Sequence, residues 1–371
     1  MRRVLFAATV VGHINAFHIP YLKWFKEQGW ETHVAAHAEN EQEQHINHCD
    51  IFHEICFTRS PFTFNNMKAY FALKKLIEEN DFDIIHCHTP VGGVLTRLAA
   101  RDVRAKGHTK VIYTAHGFHF YKGAPLLNWL VYYPIEKDLS RYTDVLITIN
   151  KEDYAIAKNK MHAKRTEYVP GVGIDIGKIK SVKVDRNKKR AELGIPKDSI
   201  MLLSVGELSK RKNHEIVIRT LPQIKDKNVI YAICGKGALE SYLKKLADKL
   251  GGSDRVFLLG FRTDVTEICK AADIFVFPSL QEGLPVALME AMACGLPIVC
   301  SKIRGNTDLI KDKINGRLFD AEDVESVKGS LSDILENHGT YRTHQDKELL
   351  DFDIATVLLR MQSIYENVLK S

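Results

Sequence analysis

Two carboxylates, Glu282 and Glu290, bracket Gly283-Leu284-Pro285 and the apolar run that follows. A strand is predicted over 274–277, a loop over 278–283, and then a helix with Pro285 at its first position, where a missing N–H is harmless. The first amides of that helix, those of Val286 and Ala287, are unpaired and lie at the positive end of its dipole. Such an end suits a diphosphate. A carboxylate beside a diphosphate is repelled, so each glutamate is expected to face something else. Hydroxyl groups are natural partners, because one ionised carboxylate accepts several hydrogen bonds. A ligand with hydroxyls on both sides of a diphosphate is a nucleotide sugar. The plainer alternative is a capping acid and a surface glutamate.

Other strand ends carry further candidates. VGELSKRKNH places Lys210, Arg211 and Lys212 in the loop after a predicted strand, where one cation could neutralise phosphate. The loop lacks the GxxxxGK[ST] spacing of a nucleotide-triphosphate cradle. CGKGALE holds half of a GxGxxG pattern without its third glycine and reads as a structural turn. FLLGFRTDV puts Gly260 and Arg262 at another strand end, able to receive a base. VVGHINAFH, HCHTPVGG and TAHGFHF bring Gly12, His13, His18, His86, His88 and His116 to three strand ends of the first half. Histidines there read as a lined cleft with donors for sugar hydroxyls or phosphate. His86 and His88 share one face of a strand, where a metal could bridge them, but no third ligand follows in sequence. Of two DxD triplets, Asp81–Asp83 precedes a strand and Asp351–Asp353 opens the last helix. Both read as structural, and no required metal is expected.

The elements that position these residues alternate strand and helix. Strands are predicted over 4–11, 32–36, 83–88, 110–115 and 145–150, with helices over 17–28, 65–79, 94–104, 126–140 and 151–160. After a cation-rich break the alternation restarts at 200–205 and runs to 298–300. This pattern gives parallel βαβ units covered on both faces. The 371 residues exceed one ordinary core and divide into two doubly wound α/β domains. A net charge of +6 is mildly basic: it excludes no phosphorylated ligand or anionic lipid, and it falls short of a nucleic-acid-binding extreme. The seven cysteines form no CxxC and read as buried free thiols in a reducing compartment. MRRVLFAATVVGH mimics a leader peptide but reads as a first buried strand. No apolar run reaches the roughly 20 residues of a membrane-spanning helix. The expected location is cytoplasmic, with peripheral contact at the inner membrane face through TRLAARDVRAKGHTK and FHFYKGAPLLNWLVYY.

These motifs together resemble the family 4 retaining glycosyltransferases of the GT-B fold, within their bacterial capsule and exopolysaccharide group. The likeness runs almost end to end, through FHIPYLKWFKEQGWETHVAA, DFDIIHCHTPVGG, YTAHGFHFYKG, VPGVGID, SVGELSKRKNH, FLLGFRTDV and SLQEGLPVALMEAMACGLPIVCS. It implies two tandem Rossmann-like domains facing across a cleft: an acceptor domain over 1–175, a linker region over 176–195, a nucleotide-sugar domain over 196–352, and a terminal helix 353–371 packing back on the first. It implies a sugar moved from a nucleotide diphosphate sugar, a UDP-sugar, to a lipid-linked or oligosaccharide acceptor, with no required cofactor and no nucleic acid. In the family pattern Glu282 contacts the donor sugar, Glu290 holds the ribose, and Gly283 and the amides of Leu284, Val286 and Ala287 meet the phosphates. Lys212, with Arg211, stabilises the departing diphosphate; His116 stands beside the donor sugar, Gly12 near the phosphates, and Arg262 where backbone meets the base. His13 and His88 fall on the acceptor side. Glu207 stands where the family commonly has arginine, which leaves the clamp to Lys212 and Arg211 or turns Glu207 to an acceptor or ribose. A GT-B nucleotide-sugar epimerase and a non-catalytic nucleotide-sugar-binding partner of an assembly complex are the alternatives.

Overall fold

A strand buried on both faces needs apolar residues at every position rather than at alternate ones. RVLFAATV meets that demand, and all six of its inner residues are buried. The computed structural model describes residues 1–60, 63–341 and 349–370. It divides into one unit of Met1–Val172 with the chain from Val357 onward, and a second of Gly173–Thr356.

The first unit holds seven parallel strands: β1 (Arg3–Val10), β2 (Glu31–His37), β3 (Ile51–Glu54), β4 (Ile84–His88), β5 (Lys110–Ala115), β6 (Val145–Thr148) and β7 (Arg165–Tyr168). Their order is β3-β2-β1-β4-β5-β6-β7, so chain direction across the sheet reverses between β1 and β4. The helix Ile354–Lys370 lays Val357, Met361, Ile364, Tyr365 and Val368 into the core beneath β1 and β4. Ser371, the last residue of the expected terminal helix, lies outside the described residues. The second unit has β8 (Ile200–Val205), β9 (Val229–Cys234), β10 (Val256–Gly260), β11 (Ile274–Phe277), β12 (Ile298–Ser301) and β13 (Arg317–Phe319), all parallel. Its order is β10-β9-β8-β11-β12-β13, reversing between β8 and β11. Ligands in such open sheets bind beyond the strands' carboxyl ends at the reversal.

Several expectations change. The helix read over 17–28 is two, Val11–Phe17 and Ile19–Glu27, broken at His18; Gly12 and His13 therefore lie in a first helical turn, not in a loop. The helix read over 94–104 begins earlier and also divides, into Pro90–Ala99 and Arg101–Ala105. Residues 176–195, read as a linker region, are largely helical. They carry the short helices Ile176–Ser181 and Arg186–Glu192, tied to the second unit where Arg190 Nε bonds the Ala271 carbonyl at 2.9 Å and Lys189 meets Asp264 at 3.0 Å. Cys56 is exposed, and Cys49 and Cys294 are half-buried; Cys87, Cys234, Cys269 and Cys300 are buried as read. Two arginines of the basic stretch after Pro90 are spent inside the unit, while Arg101 and Lys106 remain exposed. Arg97 is fully buried on Glu136 at 2.9 Å, and Arg104 is paired with Asp144 at 2.9 Å. The half-buried Glu136 carboxylate offsets the cost of taking that guanidinium out of water.

Candidate active site

In the second unit the reversal sets the loop after β8 beside the loop after β11. Lys212 and Glu282 thereby meet across 70 residues of chain, Nζ to Oε1 at 2.7 Å. Arg211 reaches the same Oε1 at 3.0 Å and the Gln281 carbonyl at 3.1 Å. The Leu280 amide returns a bond to the Arg211 carbonyl at 2.8 Å, so the two loops are sewn together. Glu282 spends only Oε1 on these cations; Oε2 has no partner among the described residues. The Lys212 ammonium also sits 4.7 Å from the Phe277 ring centre, a cation–π contact. Burial pushes the Lys212 pKa down, and the Glu282 carboxylate partly offsets that.

The helix Val286–Ala293 starts one residue later than read, with Pro285 as its extended N-cap. No side chain caps it, so its first amides keep the unpaired state that an anion would satisfy. Glu290 lies one turn in, half-buried; burial raises its pKa, and its carboxylate has no partner among the described residues. Arg262 contributes no free guanidinium. It grips Asp264 at 2.6 and 2.8 Å and Glu192 at 3.1 Å. Glu207 is exposed and takes no part in the Lys212–Glu282 contact. The glycines of CGKG are there for clearance: a Cβ at Gly235 would lie 1.9 Å from the Gly206 carbonyl oxygen, and one at Gly237 2.4 Å from that of Leu208. That close approach supports the loop bearing Lys212 and explains the motif without a dinucleotide.

In the first unit the reversal gathers histidines. His13 Nε2 lies 3.2 Å from His116 Nε2, and His116 Nε2 lies 3.4 Å from His88 Nδ1. The His18 and His88 rings stack with centres 3.7 Å apart. Desolvation lowers every one of these imidazoles, His13 to about 4 and His18, His88 and His116 well below their ordinary value, so all are neutral at pH 7. His86 shares the face of His88 but spends both nitrogens, on Tyr365 and Thr114, each at 2.8 Å. It is a structural residue and not the metal partner its spacing allowed. Gly12 is exposed, with open space where a Cβ would stand. A cavity of about 510 Å³ opens beside His13 and Thr89, walled largely by Val91, Val94, Leu95, Phe118, Phe120 and Tyr132.

Two models of known families divide the chain between them: glycosyl transferase 4-like over residues 3–150 and glycosyl transferases group 1 over residues 185–348. EpsD of Bacillus subtilis (strain 168) is 43% identical over 371 residues, covering 98% of this chain and 96% of that one. The chain belongs to the family 4 glycosyltransferases. The UDP-Gal:alpha-D-GlcNAc-diphosphoundecaprenol alpha-1,3-galactosyltransferase of Escherichia coli is 33% identical over 273 residues, covering 72% of this chain and 70% of that one. Among solved structures, Anabaena Alr3699/HepE in complex with UDP superposes with a TM-score of 0.77 at 19% identity, over 99% of this chain and 100% of that one. The fold is thus GT-B, and the chain is a glycosyltransferase.

Three residues that hold this glycosyltransferase's loops escaped the sequence reading. Arg304, 6% exposed, bonds the Glu282 carbonyl at 3.1 Å. Asp153 is buried beneath the loop after β5, accepting from the Phe118 amide at 3.0 Å and from Asn150 at 2.8 Å. Thr89 adopts a positive φ of 64° and exchanges a 2.7 Å hydrogen bond with Thr9. For Asp153 a signal existed, since Asn150 followed by Lys-Glu-Asp is a helix-capping pattern. Arg304 and Thr89 carry none.

Proposed function

We propose that the chain transfers a sugar from a UDP-sugar to a lipid-linked sugar in cell-surface polysaccharide synthesis, with retention of anomeric configuration. The observation that carries this reading is Glu282, held by Lys212 with Oε2 to spare, directly before an uncapped helix start. Glu282 Oε2 would accept a donor-sugar hydroxyl. The amides of Leu284, Val286 and Ala287, with Gly283 leaving room, would hold the diphosphate, and Glu290 the ribose. As the bond from the anomeric carbon to the diphosphate oxygen breaks, Lys212 and Arg211 neutralise the charge that develops there. The acceptor oxygen attacks from the same face and gives its proton to the departing diphosphate. One preorganised contact to such developing charge is worth roughly 3–4 kcal/mol. His116 would stand at the donor sugar, Gly12 at the phosphates, and the Arg262 backbone at the base. His13 would meet the acceptor, whose apolar part suits the cavity beside it, and His88, buried against His18 and His116, would back that wall rather than touch the acceptor.

UDP is favoured because HepE was solved with UDP, and a lipid diphosphate because the Escherichia coli relative is named for one. Residues 1–175 would serve the acceptor and 196–352 the donor. No step asks for a metal, and nucleic acid has no place in it. No helix among the described residues is long and apolar enough to cross a membrane. The working location is the cytoplasmic face of the membrane, in peripheral contact with it.

The test is a thermal-shift screen across nucleotide sugars, followed by reaction of the best donor with a polyprenyl-diphosphate sugar and NMR of the product. Retention predicts the donor's own anomeric configuration in the new bond. An inverted product refutes the mechanism, and an altered sugar nucleotide formed without acceptor points to an epimerase. Full turnover in Glu282→Ala, or loss of turnover on adding EDTA, would sink the site assignment or its metal independence respectively.

A further inference from the structure

The cavity of the first unit carries one carboxylate, Glu136, in a wall that includes Val94, Leu95, Phe120 and Ile135. That glutamate is gripped on one oxygen. Arg97 Nη2 bonds its Oε2 at 2.9 Å. The Tyr113 hydroxyl meets Oε1 only at 3.4 Å, beyond the usual reach of an O–H···O bond. Oε1 therefore keeps its capacity to accept, in a side chain that is 12% exposed and lines the cavity.

The surroundings hold that carboxylate in one place. Arg97 is fully buried; its Nε goes to the Gly93 carbonyl at 2.9 Å, and its guanidinium carbon lies 3.9 Å from the centre of the Tyr113 ring. Gly93 makes room for that ring, since a Cβ there would stand 2.4 Å from it. Arg97 Nη1 is left without a hydrogen-bond partner among the described residues. Apolar side chains of similar volume often replace a buried ion pair without loss of stability, so stability alone does not account for this one. A carboxylate paired with a guanidinium accepts hydrogen bonds and donates none. It selects an N–H or O–H from a ligand, and the walls around it select apolar bulk beside that donor.

We propose that Glu136 is a specificity-determining residue for the acceptor, and that the cavity takes the acylamino group of an amino sugar. The amide N–H donates to Glu136 Oε1, and the acyl methyl packs among Val94, Leu95 and Ile135. An acylamino group joins a donor to an apolar end. A hydroxyl offers the donor without that end, and a prenyl chain offers apolar bulk without the donor. His13, on the same cavity, keeps its place beside the acceptor. The inference rests on the reading of the chain as one that transfers to a sugar, and it deepens that reading by naming the class of sugar.

The test is calorimetry on the full chain without donor, using three soluble probes: the citronellyl diphosphates of N-acetylglucosamine, glucose and 2-deoxyglucose. The parent should bind the acetamido probe at least about fourfold tighter than the glucose probe, the worth of one buried methyl, and the 2-deoxyglucose probe weakest. In Glu136→Gln the amide oxygen stays with Arg97 and the NH2 group opposes the ligand's own donor. The acetamido probe should then weaken about tenfold to a hundredfold, the range for a hydrogen bond to a charged group, while the 2-deoxyglucose probe is unchanged. Equal losses on both probes would make Glu136 a structural residue and overturn the inference. If that variant fails to fold, Val131→Phe decides, because it narrows the same cavity without touching the ion pair. Acetamido binding should fall at least about tenfold, as for loss of that bond, with UDP affinity unchanged; retained acetamido binding overturns the inference. A parent that does not rank the acetamido probe first, or that binds none of the three, overturns it as well. Donor-free binding keeps this outcome apart from the transfer reading, which fails when no prenyl-diphosphate sugar of any kind yields product.

Discussion

The two units place their candidate residues at the same topological point and fill it with opposite chemistry. In the second, the reversal between β8 and β11 joins ionised groups, Lys212 and Arg211 on Glu282, beside an uncapped helix start. In the first, the reversal between β1 and β4 gathers imidazoles that burial keeps neutral. The sheet decides where a ligand can lie, and the loops decide which. Fixed charges suit a diphosphate whose charge grows during reaction. Neutral rings, each able to donate one hydrogen bond and accept another, suit hydroxyls.

The largest effect expected from this contrast is on acid stability. His13 and His53 are lowered to about 4 and His86 to about 3, with His18, His88 and His116 lowered too, all in the first unit; the second has His214, lowered to about 4. A depressed folded pKa means stability that is complete above the unfolded value of 6.5 and drains away as pH falls toward the folded value. Each such histidine costs about 1.4 kcal/mol per pH unit through that window. The first unit should therefore fail first between pH 6.5 and about 4. All three tryptophans, Trp24, Trp30 and Trp129, lie in it. In EDTA-treated protein, tryptophan fluorescence should change at a higher pH than far-UV circular dichroism does. Coincident transitions would erase the distinction.

Next in size is catalysis. Lys212→Ala should lower kcat by about 10²–10³, the loss of one contact to developing charge. His116→Asn, which removes a neutral hydrogen-bonding ring, should cost about two- to tenfold, from roughly 0.5–1.5 kcal/mol. Steady-state kinetics on both, with folding checked by circular dichroism, tests the division of labour. A His116 effect as large as that of Lys212 would break it.

Much of this was legible because it is local. Ile274–Phe277, the Gly-Leu-Pro turn and the helix after it announce themselves by composition, and so does each long central strand. The edge strands Ile51–Glu54, Arg165–Tyr168 and Arg317–Phe319 did not, since they mix polar with apolar residues and are only partly buried. Non-local facts were invisible for a different reason. Nothing in a run of letters says that Lys212 spends its charge on Glu282, that Arg97 is swallowed beside Glu136, or that His18 stacks on His88. Spacing pointed to His86 as the partner of His88; the fold gives His86 to Tyr365 and Thr114 and sets His88 against His18 and His116.

A smaller effect is expected at Glu290. Burial raises its pKa, so it releases its proton later than an ordinary glutamate as pH rises. Glu290→Gln keeps the shape and removes the charge, worth roughly 1.5–3 kcal/mol for hydrogen bonds to a charged group. UDP affinity by calorimetry should fall about tenfold to a hundredfold. With 2′,3′-dideoxyuridine diphosphate the parent and the variant should bind alike; a persisting difference would move Glu290 away from the ribose.

The smallest effect concerns the outside of the first unit and tests whether its neutral chemistry extends to the surface. The helix Leu126–Leu139 leaves Leu126, Leu127 and Leu130 exposed at 73, 67 and 65%. Arg97 and Arg104, which looked like a basic membrane-facing stretch, are both bound to carboxylates inside the unit. Contact with a bilayer should therefore rest on apolar side chains rather than on charge. Leu127→Ser should weaken sedimentation with lipid vesicles by roughly 1–2 kcal/mol, part of the transfer energy of one leucine. Added salt should change it little, because ion pairing to lipid phosphates is what salt screens. Binding that vanishes in salt and ignores Leu127→Ser would return the contact to the cations and remove the apolar face from the comparison.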